Sequence, residues 1–311
     1  MPYVRLLRPQ QWVKNVFVLA GVVFAGKEYG LGLEAVVSAG LAFACLCLIS
    51  SHVYILNDIH DRAEDRLHPR KRQRPIASGQ VSVAAALAIG VGLLVVGLGG
   101  AVLLHRGFAV CAGAYLLLQF AYTWKLKHAV ILDVIAIGLG FVLRAIAGAV
   151  VVNVHISPWL VICTFTLCLF MGFSKRRCEL NAMAAGNGVP PDAARHHRRT
   201  LSIYTPELLN HMTTLTAGLA VVSFMLYATD ERTTDKFHTN YLVYTLPLVV
   251  YAIFRFAVLV EHGLVDGPTD VVLRDRPFQA ALVFWGCAAL LIVYQGEVLK
   301  TWFEGLTAVP G

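Results

Sequence analysis

The chain has 311 residues, of which 57% are hydrophobic and only 14% charged. So many long apolar runs exclude a soluble globule, and the absence of period-two alternation excludes a β-barrel. What remains is an all-α, polytopic membrane protein. Its net charge of +7 is a matter of topology, as shown next, and gives no reason to expect a nucleic-acid partner.

Nine spans are predicted in chain order, at about 15–33, 35–56, 81–104, 107–124, 130–151, 157–174, 210–229, 241–260 and 278–296. Each can cross a hydrocarbon core of about 30 Å as a helix. Residues 1–311 read as a single transmembrane domain. Arg5, Arg8 and Lys14 precede a full-length span with no clear cleavage site, so no cleaved signal peptide is expected. With the N-terminus cytoplasmic, 19 of the 26 lysines and arginines fall on that side and five opposite; Arg144 and Arg255 lie inside spans. That bias predicts N-terminus in and C-terminus out. The seven cysteines form no CxxC pair and mostly sit in spans, so they read as small packing residues.

The cytoplasmic connections 57–80, 175–209 and 261–277 are the long and chemically rich ones. The first two are separated by four spans, a hint of a four-plus-four repeat with a ninth helix added. The first reads NDIHDRAEDRLHPRKRQRPIASG (57–79), with four carboxylates and six cations. Asp58, Asp61 and Asp65 are spaced i, i+3, i+7, which puts them within about 60° on one helical face. Three stacked carboxylates repel one another unless a divalent cation sits among them. Mg²⁺ takes oxygen ligands, commonly one or two carboxylates plus water and substrate phosphate. The cations that follow, Arg70, Lys71, Arg72 and Arg74, suit phosphate oxygens. Acids for metal followed by cations for phosphate predict a diphosphate site at the end of a span.

These residues also carry a resemblance. NDIHDRAEDR resembles the NDxxDxxxD signature of the UbiA superfamily of intramembrane prenyltransferases, with Asn57, Asp58, Asp61 and Asp65 on its marked positions. RPQQWVKN (8–15), HPRKRQRPIASG (68–79), AYTWKLKHAVILDV (121–134), VLRAIAGA (142–149), KRRCEL (175–180), SIYT (202–205) and DVVLRDRPFQ (270–279) are similar to the branch that makes polyprenyl-phosphoryl-5-phosphoribose from decaprenyl-type phosphates. The resemblance implies nine helices around a central cavity that opens to lipid and is capped by the cytoplasmic loops. It also implies a multi-pass protein of the bacterial cytoplasmic membrane, a homo-oligomer such as a trimer, and a cell-envelope polysaccharide precursor as product. Mg²⁺ is the expected cofactor, with Mn²⁺ able to replace it.

One departure from the wider superfamily is informative. Aromatic prenyltransferases carry a second aspartate-rich motif after span 6, whereas this chain has Lys175, Arg176, Arg177 and a single acid, Glu179. Cations cannot cage a metal but can receive phosphate directly, with Glu179 orienting Lys175 and Arg176. Arg144, mid-span, shares a face with Asp133, and reads either as a phosphate contact or as half of a structural pair. Lys14, Tyr122 and Lys127 are expected at the substrate, the last two because the family keeps a tyrosine and a lysine there. Tyr204 and Asp275 are weaker candidates. His196 and His197 are adjacent, diverge on a helix, and read as a solvated basic loop.

Three readings follow. The first transfers 5-phosphoribose from 5-phosphoribosyl 1-diphosphate to a polyprenyl phosphate, releasing diphosphate. The second is an aromatic or haem prenyltransferase using the same first motif. The third is a transporter, disfavoured because the charges cluster on one face and no midplane site of broken helices is evident.

Overall fold

The computed structural model describes residues 1–23, 32–67, 71–155, 157–184, 201, 203–265 and 267–307. Among these the regular structure is entirely helical. Eight helices are long and apolar enough to cross a membrane: Leu33–His60, Val83–Leu104, Arg106–Trp124, Leu132–Val151, Pro158–Met183, Pro206–Thr229, Tyr241–Glu261 and Arg276–Trp302. They correspond in order to the second through ninth predicted spans, and they make this a multi-pass membrane protein.

The described part of the first predicted span takes another form. After a short helix α1 (Pro2–Leu7), Arg8 adopts a left-handed conformation (φ 52°), and Pro9–Leu19 follows as an eleven-residue 3₁₀ helix. A four-residue helix α2 (Ala20–Val23) comes next, and residues 24–31 lie outside the described set. A count of nine is therefore not confirmed. A 3₁₀ run of that length is uncommon because its hydrogen bonds are poorly aligned, so tertiary contacts must hold it. Trp12 Nε1 donates to Ser51 Oγ (3.0 Å), and Asn15 Nδ2 donates to Ser50 Oγ (3.1 Å). The sequence pattern contains no sign of these contacts.

The chain divides into two compact units, with four of the eight spans in each. The first contains Met1–Gly21, Leu33–His155 and Ala182–Thr205. Its spans are α3 (Leu33–His60), α5 (Val83–Leu104), α6 (Arg106–Trp124) and α7 (Leu132–Val151); the short α4 (Arg62–Leu67) follows α3. Lipid offers no hydrophobic drive between helices, so close approach through small residues must supply the packing. Gly97 of α5 provides it: a Cβ there would stand 2.8 Å from Ile49 Cγ1 and 3.2 Å from the Cys45 carbonyl of α3. Val18, Leu46, Ile49, Phe108, Tyr115 and Ala147 fill the interior. At one end Leu6, Ile55, Ile76, Val81 and Ala86 form a second cluster.

The second unit contains Val22–Gly32, Ile156–Asn181 and Pro206–Gly311. Its long helices are α8 (Pro158–Ala184), α9 (Pro206–Thr229), α11 (Leu246–Glu261, entered through a 3₁₀ turn at Tyr241–Thr245) and α13 (Arg276–Thr307). The short α10 (Glu231–Phe237) and α12 (Pro268–Arg274) lie in its connections. Phe170, Phe256 and Phe278 pack as tilted aromatic pairs at 5.2 and 6.1 Å. Phe224, Tyr227, Phe237 and Ile292 form a separate cluster. Helix α13 breaks at Gln295 (φ −126°). There the next residue, Gly296, lies so close to the Phe237 carbonyl that a Cβ would overlap it.

Candidate active site at the end of the second span

The acidic motif occupies the join of α3 and α4 in the first unit. Helix α3 ends at His60 and α4 begins at Arg62, with Asp61 as the turn between them. Backbone bonds from Asp61 N to Asn57 O and from Asp65 N to Asp61 O, both 2.8 Å, carry the helical rise across the turn. Asp58 and Asp65 are each only 2% exposed. Both reach one guanidinium nitrogen: Arg74 Nη1 stands 3.0 Å from Asp58 Oδ1 and 2.6 Å from Asp65 Oδ2. Arg8 also pairs with Asp58 Oδ1 and lies over the Tyr54 ring at 5.2 Å. Asp61 turns elsewhere, to Lys127 Nζ at 3.3 Å. The motif's first residue, Asn57, accepts a hydrogen bond from Thr123 Oγ1 at 2.7 Å.

The segment RPIASG explains why Arg74 arrives there. Ile76 is fully buried in the cluster with Leu6 and Ile55. Ser78 Oγ donates to the Arg74 carbonyl (2.8 Å), and Val81 N closes the turn on Pro75 O (3.0 Å). Gly79 takes φ 78°, a conformation glycine adopts without steric cost. An apolar anchor and a tight turn thus aim one arginine at two carboxylates.

The expected triple carboxylate face is therefore divided. No group of three metal-ligating side chains converges among the described residues. Asp58 and Asp65 do converge, on a cationic nitrogen that shows how a compact positive charge fits between them. An all-oxygen pair of carboxylates suits Mg²⁺, which needs no more than two. Arg72 is exposed on the 3₁₀ turn Lys71–Gln73 and Lys14 is partly buried beside Asn15; Tyr122 is partly buried on α6. Arg70, His196 and His197 lie outside the described residues.

Arg144 is 5% exposed and wholly engaged within the first unit. Its Nε donates to Asn15 Oδ1 (2.8 Å), Nη1 to Gly140 O (2.9 Å) and Nη2 to Tyr115 OH (2.8 Å). The structure does not bring it to the aspartates, nor does it pair with Asp133. Eleven residues along one helical face amount to a rise of about 16 Å, too far for a side-chain contact. Asp133 instead accepts from Tyr204 OH at 3.1 Å, and Tyr204 is itself 2% exposed.

In the second unit, Glu179 holds both cations expected beside it. Arg176 Nη1 lies 2.5 Å from Glu179 Oε2, and Lys175 Nζ 3.8 Å from Oε1. Arg177 points away to Glu261 at 3.0 Å. Asp275 pairs through both oxygens with Arg255 (3.2 and 2.8 Å) and accepts from Phe278 N (2.8 Å), capping α13. The Arg255 guanidinium, helped by that backbone N–H, holds the Asp275 carboxyl below its ordinary range. Asp275 thus serves the architecture of α13.

Sequence reasoning missed three participants. Arg8 stood in the quoted RPQQWVKN stretch, but its partner lies 50 positions away. Thr123 and Tyr115 are uncharged residues in an apolar helix and carry no signal by themselves.

Comparison with known proteins shows the family. A sequence profile of the UbiA prenyltransferase family matches residues 15–264. The decaprenyl-phosphate phosphoribosyltransferase of Corynebacterium glutamicum is 32% identical over 295 residues, 94% of this chain and 86% of that one. The Mycobacterium tuberculosis protein of the same name is 35% identical over 286 residues, 91% of each chain. Among solved structures, a UbiA homologue from Archaeoglobus fulgidus bound to GPP and Mg²⁺ superposes with a TM-score of 0.69 at 18% identity, covering 94% of this chain and 99% of that one. The membrane helices, the paired aspartates at the end of α3 and this agreement along nearly the whole length lead to one conclusion: the chain is an enzyme of the UbiA prenyltransferase family.

Proposed function

We propose that this protein transfers 5-phosphoribose from 5-phosphoribosyl 1-diphosphate to a polyprenyl phosphate, giving polyprenyl-phosphoryl-5-phosphoribose and diphosphate. One observation carries the choice of donor. At the position after the sixth predicted span, where an aromatic prenyltransferase needs acids for a second metal, α8 presents Lys175 and Arg176 steadied by Glu179. Phosphoribosyl diphosphate has two anionic ends, a diphosphate on C1 and a phosphate on C5, whereas a prenyl diphosphate has one. The chain supplies two matching chemistries, carboxylates that suit a metal-bound diphosphate and cations that take phosphate without metal. The decaprenyl-phosphate phosphoribosyltransferase name of relatives at 32–35% identity supports the same donor and acceptor.

Asp58 and Asp65 are the residues that would hold Mg²⁺, or Mn²⁺ in its place, with Asp61 nearby. Such an ion supplies charge neutralisation for the departing diphosphate. Arg74 and Arg8, now spent on the aspartates, are the donors within reach of phosphate oxygens once a metal takes their place. Lys127 adds a third cation from the α6–α7 connection. The ribose C1–O bond to diphosphate breaks as a lipid phosphate oxygen bonds to C1. That oxygen is already anionic near neutral pH, since the second pKa of a phosphate monoester is about 6. No general base is required. The cation bias supports a site facing the cytoplasm, and a bacterial cytoplasmic membrane and a role in cell-envelope synthesis fit the same reading.

The test is a comparison of two reactions. Purified protein is offered phosphoribosyl diphosphate with a polyprenyl phosphate, or geranyl diphosphate with 4-hydroxybenzoate. Phosphoribosyl lipid from the first alone is expected; a prenylated aromatic with no phosphoribosyl lipid rejects the proposal. Within the first reaction, Arg176→Ala is expected to raise KM for the donor by roughly 10- to 150-fold, the loss of one charge-assisted contact of about 1.5–3 kcal/mol. Lys175→Ala is expected to cost less, because its side chain is 45% exposed against 12% for Arg176 and water screens it more. Initial-rate kinetics on both variants check the order.

A further inference from the structure

Tyr204 is buried, and its hydroxyl sits at a telling junction. Its hydroxyl accepts from Ile131 N at 2.7 Å and donates to Asp133 Oδ1 at 3.1 Å. Asp133 is fully buried. Between these contacts the backbone is strained: Ile131 has φ 70° and ψ −46°, a region that a β-branched side chain adopts only under constraint. The strained residue ends the α6–α7 connection that carries Lys127. Backbone bonds tie that connection into one piece: His128 N to Lys125 O (3.1 Å), Ala129 N to Leu126 O (3.1 Å) and Asp133 N to Ala129 O (3.0 Å). At its far end Lys127 reaches Asp61.

We infer that Tyr204 is a positioning residue: its hydroxyl, bridging Ile131 N and Asp133, holds the strained connection in the one shape that delivers Lys127 to Asp61. A lysine on an unconstrained loop would spread its ammonium over many rotamers and spend little time at one carboxylate. Here the bridge fixes the loop's base, and the local hydrogen bonds carry that order to Lys127. Tyr204 lies two residues before the helix start at Pro206, so the link also binds the end of the second long cytoplasmic connection to the acidic motif of the first. The inference rests on the proposed reading of Asp61 and Lys127 as part of the reacting site.

The experiment uses Tyr204→Phe in the full-length protein and reads two quantities. Amide hydrogen exchange, which needs no turnover, is expected to quicken at 126–131 while 206–229 is unchanged. In the phosphoribosyl transfer assay kcat/KM is expected to fall by roughly 5- to 30-fold, the loss of one to two buried hydrogen bonds. The same substitution made on Lys127→Ala is expected to add almost no further loss, because Tyr204 acts through that lysine. Unchanged exchange at 126–131, or penalties that add in the double variant, overturns the inference. If Tyr204→Phe does not fold, Asp133→Asn keeps an acceptor for the hydroxyl while weakening the bond. It is expected to quicken exchange at 126–131 by several-fold, and a wild-type pattern there rejects the bridge. A wild-type protein that makes no phosphoribosyl lipid defeats the functional reading alone, since exchange still decides the role of Tyr204.

Discussion

Asp58→Asn is expected to lower turnover by about 10³-fold or more while leaving a folded protein. The carboxylate is 2% exposed and shares one oxygen between Arg8 and Arg74. Asparagine keeps the shape but removes the charge, so neither a divalent cation nor the arginines find their partner. Metal stabilisation of a leaving diphosphate is worth several kcal/mol, and about 4 kcal/mol corresponds to 10³ in rate. Folding should survive because Arg74 keeps its 2.6 Å contact with Asp65. Rates, a thermal melt and Mn²⁺ binding by electron paramagnetic resonance, measured together, separate the cases. Wild-type turnover in excess chelator, or an Asp58→Asn enzyme that binds Mn²⁺ as tightly as the parent, would defeat the metal assignment.

Gly148→Ala should have the largest effect on stability. A Cβ at Gly148 would overlap the Val18 carbonyl, with Val18 Cα only 3.0 Å away. Gly21 is in the same position from the other side, its added Cβ meeting Ala149 N at 2.6 Å. The N-terminal 3₁₀ segment and α7 thus pack backbone to backbone. No rotamer change relieves such a clash, so the cost should reach or exceed the upper end of the usual overpacking range of about 1–3 kcal/mol. Displacing the segment would also move Asn15 away from Arg144, leaving a buried guanidinium short of a partner. Gly113→Ala on α6 is the control, because its added Cβ meets nothing within 4 Å. A melting temperature for Gly148→Ala equal to that of Gly113→Ala would show that the close approach carries no weight.

Much of the architecture was legible in the chain. Apolar runs from Leu33 onward became eight spans in the expected order, because length and hydrophobicity are local properties and the bilayer imposes one solution on them. The described part of the segment before them, Pro9–Val23, is a 3₁₀ run followed by a single α-helical turn instead of a long α-helix. Its form depends on Gly148 and on Ser50, Ser51 and Arg144, none of which lies near it in sequence. Helical periodicity put Asp58, Asp61 and Asp65 on one face; in the structure Asp58 and Asp65 meet on Arg74, while Asp61 pairs with Lys127. Helix α3 ends one residue earlier, and Lys127 captures the freed carboxylate. Periodicity failed for Asp133 and Arg144 for a simpler reason: a shared face says nothing about distance along the axis.

The sequence by itself determined the membrane setting, the eight spans from Leu33 onward and the residue types available for chemistry: acids at the end of α3, and cations on α8. Glu179 beside Lys175 and Arg176 belongs to the same class, since pairs three and four apart on one helix are local. Only the tertiary structure decided which cation meets which acid. Arg8 reaches Asp58 across 50 positions, Lys127 reaches Asp61 across 66, and Tyr204 reaches Asp133 across 71. Charge makes every such pairing favourable and singles out none. The choice falls to backbone geometry, to a left-handed Arg8, a tight turn at Gly79 and a strained Ile131, and these conformations exist only because the packed helices over-determine them.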